Sequence, residues 1–142
     1  MTSSYISATL RQQVYADAGQ RCGYCLSPEI LLGTSLEIEH LIPQAAGGLS
    51  NRDNLWLACR RCNQFKGSLT EAIDPQTGER VALFNPRRQD WFAHFVWQPD
   101  GTQVKGITPC GRATVVALQL NHDYIVETRS FWVEVGWWPP NS

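Results

Sequence analysis

Residues 36–67 read LEIEHLIPQAAGGLSNRDNLWLACRRCNQFKG, and the placement of the whole chain turns on them. From Leu36 to Ile42, apolar Leu36 and Ile38 alternate with Glu37 and Glu39. That is the period of a strand with one buried face, and Pro43 ends it because proline cannot donate to a sheet ladder. QAAGGLSN reads as a loop, NLWLAC as a second extended piece, and a helix is expected from about Arg60 to Ser68. The helix opens at a Cys-x-x-Cys pair, Cys59 and Cys62.

A matching pair, Cys22 and Cys25, lies upstream in RCGYC, where a glycine allows a tight turn. Zinc takes four tetrahedral S or N ligands, and each Cys-x-x-Cys turn supplies two thiolates without straining the backbone. In a reducing compartment such pairs point to metal rather than to disulfides. Between Cys25 and Cys59 lie 33 residues, more than the roughly 15–20 of a simple four-cysteine finger. The insertion is the strand with His40 and the segment with Asn54, and Asn63 follows the last cysteine directly. With all four positions taken by cysteine, the zinc has no open site and is expected to be structural.

The chain has 142 residues, 43% of them hydrophobic, enough for a single domain with an appended subdomain. The formal charge of −1 and a pI near 6.3 count against a protein that coats nucleic acid, which depends on a large excess of Lys and Arg. Four cations, Arg52, Arg60, Arg61 and Lys66, nevertheless fall within residues 36–67. The first twenty residues lack a basic start with an apolar run, and nowhere do eighteen apolar residues follow one another, so a soluble, cytoplasmic protein is expected with no membrane partner.

Outside this centre, Ser7 can cap a helix through ATLRQQVYADAG that stops at Gly19. DPQTGER reads as a turn and HFVWQPDGTQVKGIT as a hairpin turning at Pro99-Asp100-Gly101. Thr108 and Pro109 launch a helix over CGRATVVALQL, and Asn121 separates it from a last helix over DYIVETRSFWVEVG, ended by Gly136. The closing WWPPN is expected to pack onto the body. Cys110, His94 and His122 read as structural residues and the tryptophans as core.

EIEHLIPQAAGGLSNRDNLWLACRRCNQFKG resembles the core of the HNH endonucleases over about residues 21–67, and the flanking cysteine pairs resemble the zinc-stabilised branch of that family. The remainder, with LFNPRRQDWFAHFVWQPDGT and TPCGRATVVALQLN, is similar to the C-terminal extension of many small bacterial HNH proteins. The resemblance implies an α+β fold: a ββα-metal (His-Me finger) core with a structural four-cysteine zinc site, an N-terminal helix and a hairpin-helix-helix extension. Residues 1–142 would form one domain, with the core at 21–68 and the extension at 80–142 packed on it. The resemblance places the metal-binding carboxylate at Glu39, the general base at His40, a further site asparagine at Asn54 and the last site residue, also a metal ligand, at Asn63. Two departures stand out: the acid before the histidine is Glu rather than the common Asp, and the last position is Asn rather than His.

The chemistry suits these residue types. Phosphodiester hydrolysis needs a proton taken from water, and a neutral imidazole can take it at cellular pH. Carboxylate and amide oxygens suit a hard cation, Mg2+ or Mn2+, beside the structural zinc. Asn54 can fix the loop and the imidazole by local hydrogen bonds, and Arg60, Arg61 and Lys66 can grip the backbone of nucleic acid, DNA being expected. Each residue also has a plainer role: a packed histidine, turn or cap asparagines, a solvated helix face. A non-catalytic zinc module that binds nucleic acid or a protein, and an enzyme of the same fold acting on RNA, remain as alternatives.

Overall fold

The computed structural model describes residues 5–140. Its backbone divides into two compact units, one running to Thr70 and including Asn85–Arg88, the other made of Glu71–Phe84 and the chain from Gln89 onward. The second unit begins at Glu71, and the 85–88 segment belongs to the first. Among the described residues no helix is long and apolar enough to cross a membrane.

In the first unit, α1 (Ala8–Asp17) is capped by Ser7, whose hydroxyl accepts from the Leu10 amide at 3.1 Å. A short α2 (Glu29–Leu32) follows the first cysteine turn. The expected strands are β1 (Glu37–His40) and β2 (Leu55–Ala58), paired antiparallel with Glu37 opposite Ala58 and His40 opposite Leu55. Leu55, Leu57 and Ala58 are fully buried. Directly after β2, α3 (Arg60–Lys66) begins with Cys59 as its cap, the Sγ accepting from the Cys62 amide at 3.4 Å. One cysteine thus serves as cap and as candidate zinc ligand, which ties the start of the helix to the metal cluster.

The second unit holds two hairpins and two helices. DPQTGER is the turn of a hairpin between β3 (Glu71–Ile73) and β4 (Arg80–Ala82), two strands the sequence does not announce because three residues are too few to show alternation. The hairpin of β5 (Phe95–Trp97) and β6 (Val104–Gly106) and the helices α4 (Pro109–Ala117) and α5 (Asp123–Glu134) lie where the sequence places them. Thr108 caps α4 by accepting from the Gly111 amide, and Gly111 admits the backbone of His94, whose carbonyl oxygen would lie 2.1 Å from an added Cβ. Trp91, Phe95 and Trp97 stack in series, and Trp138 closes the cluster edge-on to Trp97 while donating to the Gly101 carbonyl at 2.9 Å. Trp138 of the closing WWPPN is therefore core, whereas Trp137 is 65% exposed; Asn141 lies outside the described residues.

Asp74 joins the first hairpin to α4. Its buried carboxylate accepts from Arg112 through Nε and Nη2 at 2.9 and 3.0 Å, and from the Gln76 amide and the Thr77 hydroxyl. The Arg112 guanidinium, more than any other contact, holds this carboxyl well below the usual carboxylate range. Because the folded chain binds this proton less readily than the unfolded one, Asp74 stabilises the fold above about pH 4, where the unfolded group is ionised, and the contribution is lost as pH falls below that. Asp74→Asn is expected to melt several degrees lower at pH 7, with the gap to wild type narrowing as pH falls from 4 toward 2 in thermal unfolding followed by circular dichroism.

Candidate active site

Strand β1, the 3-10 turn Arg52–Asn54 that leads into β2, and helix α3 carry the expected site residues, with one cysteine pair before β1 and the other at the start of α3. The four Sγ atoms of Cys22, Cys25, Cys59 and Cys62 lie within 4.8 Å of one another, all buried, with Cys25 and Cys59 3.8 Å apart. Tetrahedral zinc with Zn–S bonds of about 2.3 Å separates its sulfurs by about 3.8 Å, so donor set and spacing both fit a structural zinc site. Four buried thiolates this close would repel one another, and a cation among them would offset that repulsion. Ser27 Oγ lies 3.1 Å from Cys25 Sγ and Arg61 Nη2 lies 3.8 Å from Cys62 Sγ, polar support of the kind thiolate ligands receive.

The remaining residues gather into three separate hydrogen-bonded groups rather than one converged set. In the first, His40 is half-buried with Nε2 2.8 Å from Ser50 Oγ. Burial, with the nearby Lys66 charge, holds the imidazole below its ordinary value of 6.5 and so keeps it neutral at cellular pH.

In the second group, Asn54 accepts from the Ile42 amide at 2.8 Å and donates to the carbonyls of Ile42 and Leu49 at 3.0 and 2.9 Å. It spans the loop that leaves β1 and fixes the residue before Ser50, so the partner of His40 is positioned through this side chain. Gly48 is required here for closeness: a Cβ would lie 1.8 Å from the Ile42 carbonyl oxygen. Exposed Arg88, from the returning 85–88 segment, borders the same cleft of about 300 Å3.

The third group departs from expectation. Glu39 is 3% exposed, and its Oε1 accepts from Lys66 Nζ at 2.8 Å while the Tyr24 hydroxyl lies 2.8 and 2.7 Å from its two oxygens. Strand alternation turns Glu39 inward, and a carboxylate buried there has to be paired. Burial pushes its carboxyl up while Lys66 and Tyr24 draw it down. The acid that faces Asn63 is instead Glu37, whose Oε1 accepts from Asn63 Nδ2 at 2.8 Å.

The same packing bears on the cations expected at phosphates. Lys66 is 3% exposed and spent on Glu39, and Arg61 is half-buried beside the thiols; of the three cations expected on α3, Arg60 alone is exposed. Arg52 and Arg87 both bind Asp17, at 2.7 and 2.9 Å, and Arg87 further lies 4.8 Å over the Trp56 ring. The sequence reading missed Tyr24, Glu37 and Ser50. A signal existed for Glu37, which shares a strand face with Glu39 two residues on, but none for Tyr24 inside its cysteine turn.

The family model described as HNH endonuclease matches residues 22–69, the span that runs from the first cysteine past the end of α3. Over that span the β1–β2–α3 arrangement with its four clustered cysteines is consistent with a ββα-metal fold of HNH type. Among curated proteins, the chain is similar to the CRISPR-associated endonuclease Cas9 of Corynebacterium diphtheriae, with 43% identity over 54 residues, which are 37% of this chain. The chain spans 5% of that relative's length. No solved structure matches it at significance.

Elemental analysis of the purified protein is expected to find about one zinc per chain. Cys62→Ala should reduce this to near zero and lower the melting midpoint by about 10 °C or more, since a structural zinc contributes folding energy outright.

Proposed function

We propose that the protein is an endonuclease that hydrolyses phosphodiester bonds, with DNA as substrate, and that His40 is its general base. The observation that carries this is the half-buried His40 imidazole, its Nε2 2.8 Å from Ser50 Oγ, at the end of the first strand of an HNH-type fold. With Nε2–H donating to Ser50 Oγ, Nδ1 keeps the lone pair that takes the proton. Attack by water forms the new P–O bond as that proton passes to Nδ1; the bond from phosphorus to the 3′ oxygen breaks, and that oxygen takes a proton from solvent, leaving 5′-phosphate and 3′-hydroxyl ends. A divalent cation, Mg2+ or Mn2+, would offset charge on the phosphate and on the leaving oxygen when bound near Asn63.

Asn54 acts as a positioning residue in this scheme, through Leu49 and Ser50. Arg60, on α3, and Arg88, beside the Asn54 cleft, are exposed and can approach phosphates. A non-catalytic zinc module has one observation in its favour, the withdrawal of Glu39 and Lys66 into an ion pair.

Supercoiled plasmid and single-stranded RNA, each with Mg2+, Mn2+ or EDTA, separate the readings. The wild type should cut plasmid only with metal, and His40→Ala should be slower by about a hundredfold or more, the usual contribution of a general base. Absence of metal-dependent cleavage above that variant on either substrate contradicts the nuclease reading. The acid limb of the rate profile should have its midpoint below pH 6.5, because a depressed imidazole stays neutral, and hence basic, at lower pH. A limb centred above 6.5 contradicts His40 in that role.

A further inference from the structure

Two acids of β1, Glu37 and Glu39, point to the same side, since strand side chains repeat every second residue. Two residues of α3, Asn63 and Lys66, stand one turn apart and share a helix face. The strand and the helix meet in register: Glu37 against Asn63, Glu39 against Lys66, each pair at 2.8 Å.

These two pairs are chemically unlike. Glu39 has both oxygens engaged, lies 3% exposed, and neutralises a lysine that is equally buried. A cation on Glu39 would have to displace the Lys66 ammonium and leave it charged in the interior, which proteins avoid. The carboxylate position that the family resemblance implies therefore does not fit. Glu37 is half-buried, and the partner it meets is a neutral amide. Turning the Asn63 amide over exchanges Nδ2 for Oδ1 and sets two oxygens side by side, and 2.8 Å is close to the edge of about 2.9 Å between neighbouring ligands of octahedral Mg2+.

We propose that Glu37, together with Asn63, holds the catalytic divalent cation, and that Glu39 is a structural residue, the buried counter-ion of Lys66 and hydrogen-bond partner of Tyr24. This rests on the reading of the site as a cation-dependent phosphodiesterase. The register also gives Lys66 a role, because by occupying Glu39 it leaves a single carboxylate of β1 open to a cation.

The test uses the zinc-loaded chain of residues 1–142 and Mn2+ alone, read as free Mn2+ by electron paramagnetic resonance during titration. Glu37→Gln should weaken Mn2+ binding about tenfold or more, the loss expected for a missing ligand. Its melting midpoint without Mn2+ should match wild type. Glu39→Gln should bind Mn2+ as wild type does and melt at lower temperature. Should that variant fail to fold, Glu39→Gln combined with Lys66→Met removes both charges together and should bind Mn2+ as wild type does. Loss of Mn2+ binding on either change at Glu39, or full binding by Glu37→Gln, overturns the assignment while leaving the nuclease reading intact. Wild-type protein that takes up no Mn2+ and cuts nothing overturns both.

Discussion

Four thiols carried by two turns, 34 positions apart in sequence between Cys25 and Cys59, converge within 4.8 Å, and the first unit is arranged around that convergence. Its two strands are four residues each and its third helix seven, elements too short to be stable alone. A metal bound at the thiols would tie the turn before β1 to the junction of β2 and α3 and would supply folding energy to a small core. The register of β1 against α3 follows, and with it which side chains of the site can meet.

Within that frame the charged groups sort by burial. Glu39 and Lys66 face inward and neutralise each other, Asp17 takes up Arg52 and Arg87, and Arg61 lies against the thiols. Most of the cations near the core already have local partners, and recognition of a polyanion would fall to a few exposed arginines. His40 gains from the same arrangement, since burial and the Lys66 charge keep its imidazole neutral.

The sequence was most legible where a single residue type acts locally. Ser7 and Thr108 announce their helices because a cap needs only its own hydroxyl and the next turn. The cysteine pairs announce their own cluster because their spacing is part of it. The partner of each acid was not legible. Which of Glu37 and Glu39 meets Asn63 depends on how far β1 slides along α3, a tertiary quantity that no local pattern encodes. Lys66 looked like a surface cation for the same reason: burial of a helix-terminal lysine is decided by the strand packed beneath it. Tyr24 passed as a spacer between ligands, and β3 and β4 were too short to show a period.

Two distinct metal environments in one small unit, sulfur for structure and oxygen for chemistry, are what the proposed nuclease requires. Crystals grown with Mn2+ and measured on both sides of the zinc and manganese absorption edges locate each metal separately. The expected result is a zinc peak enclosed by the sulfurs of Cys22, Cys25, Cys59 and Cys62, and a manganese peak against Glu37 and Asn63 with the Glu39–Lys66 pair intact. Manganese bound to Glu39 with Lys66 displaced, or no zinc at the four cysteines, would contradict it.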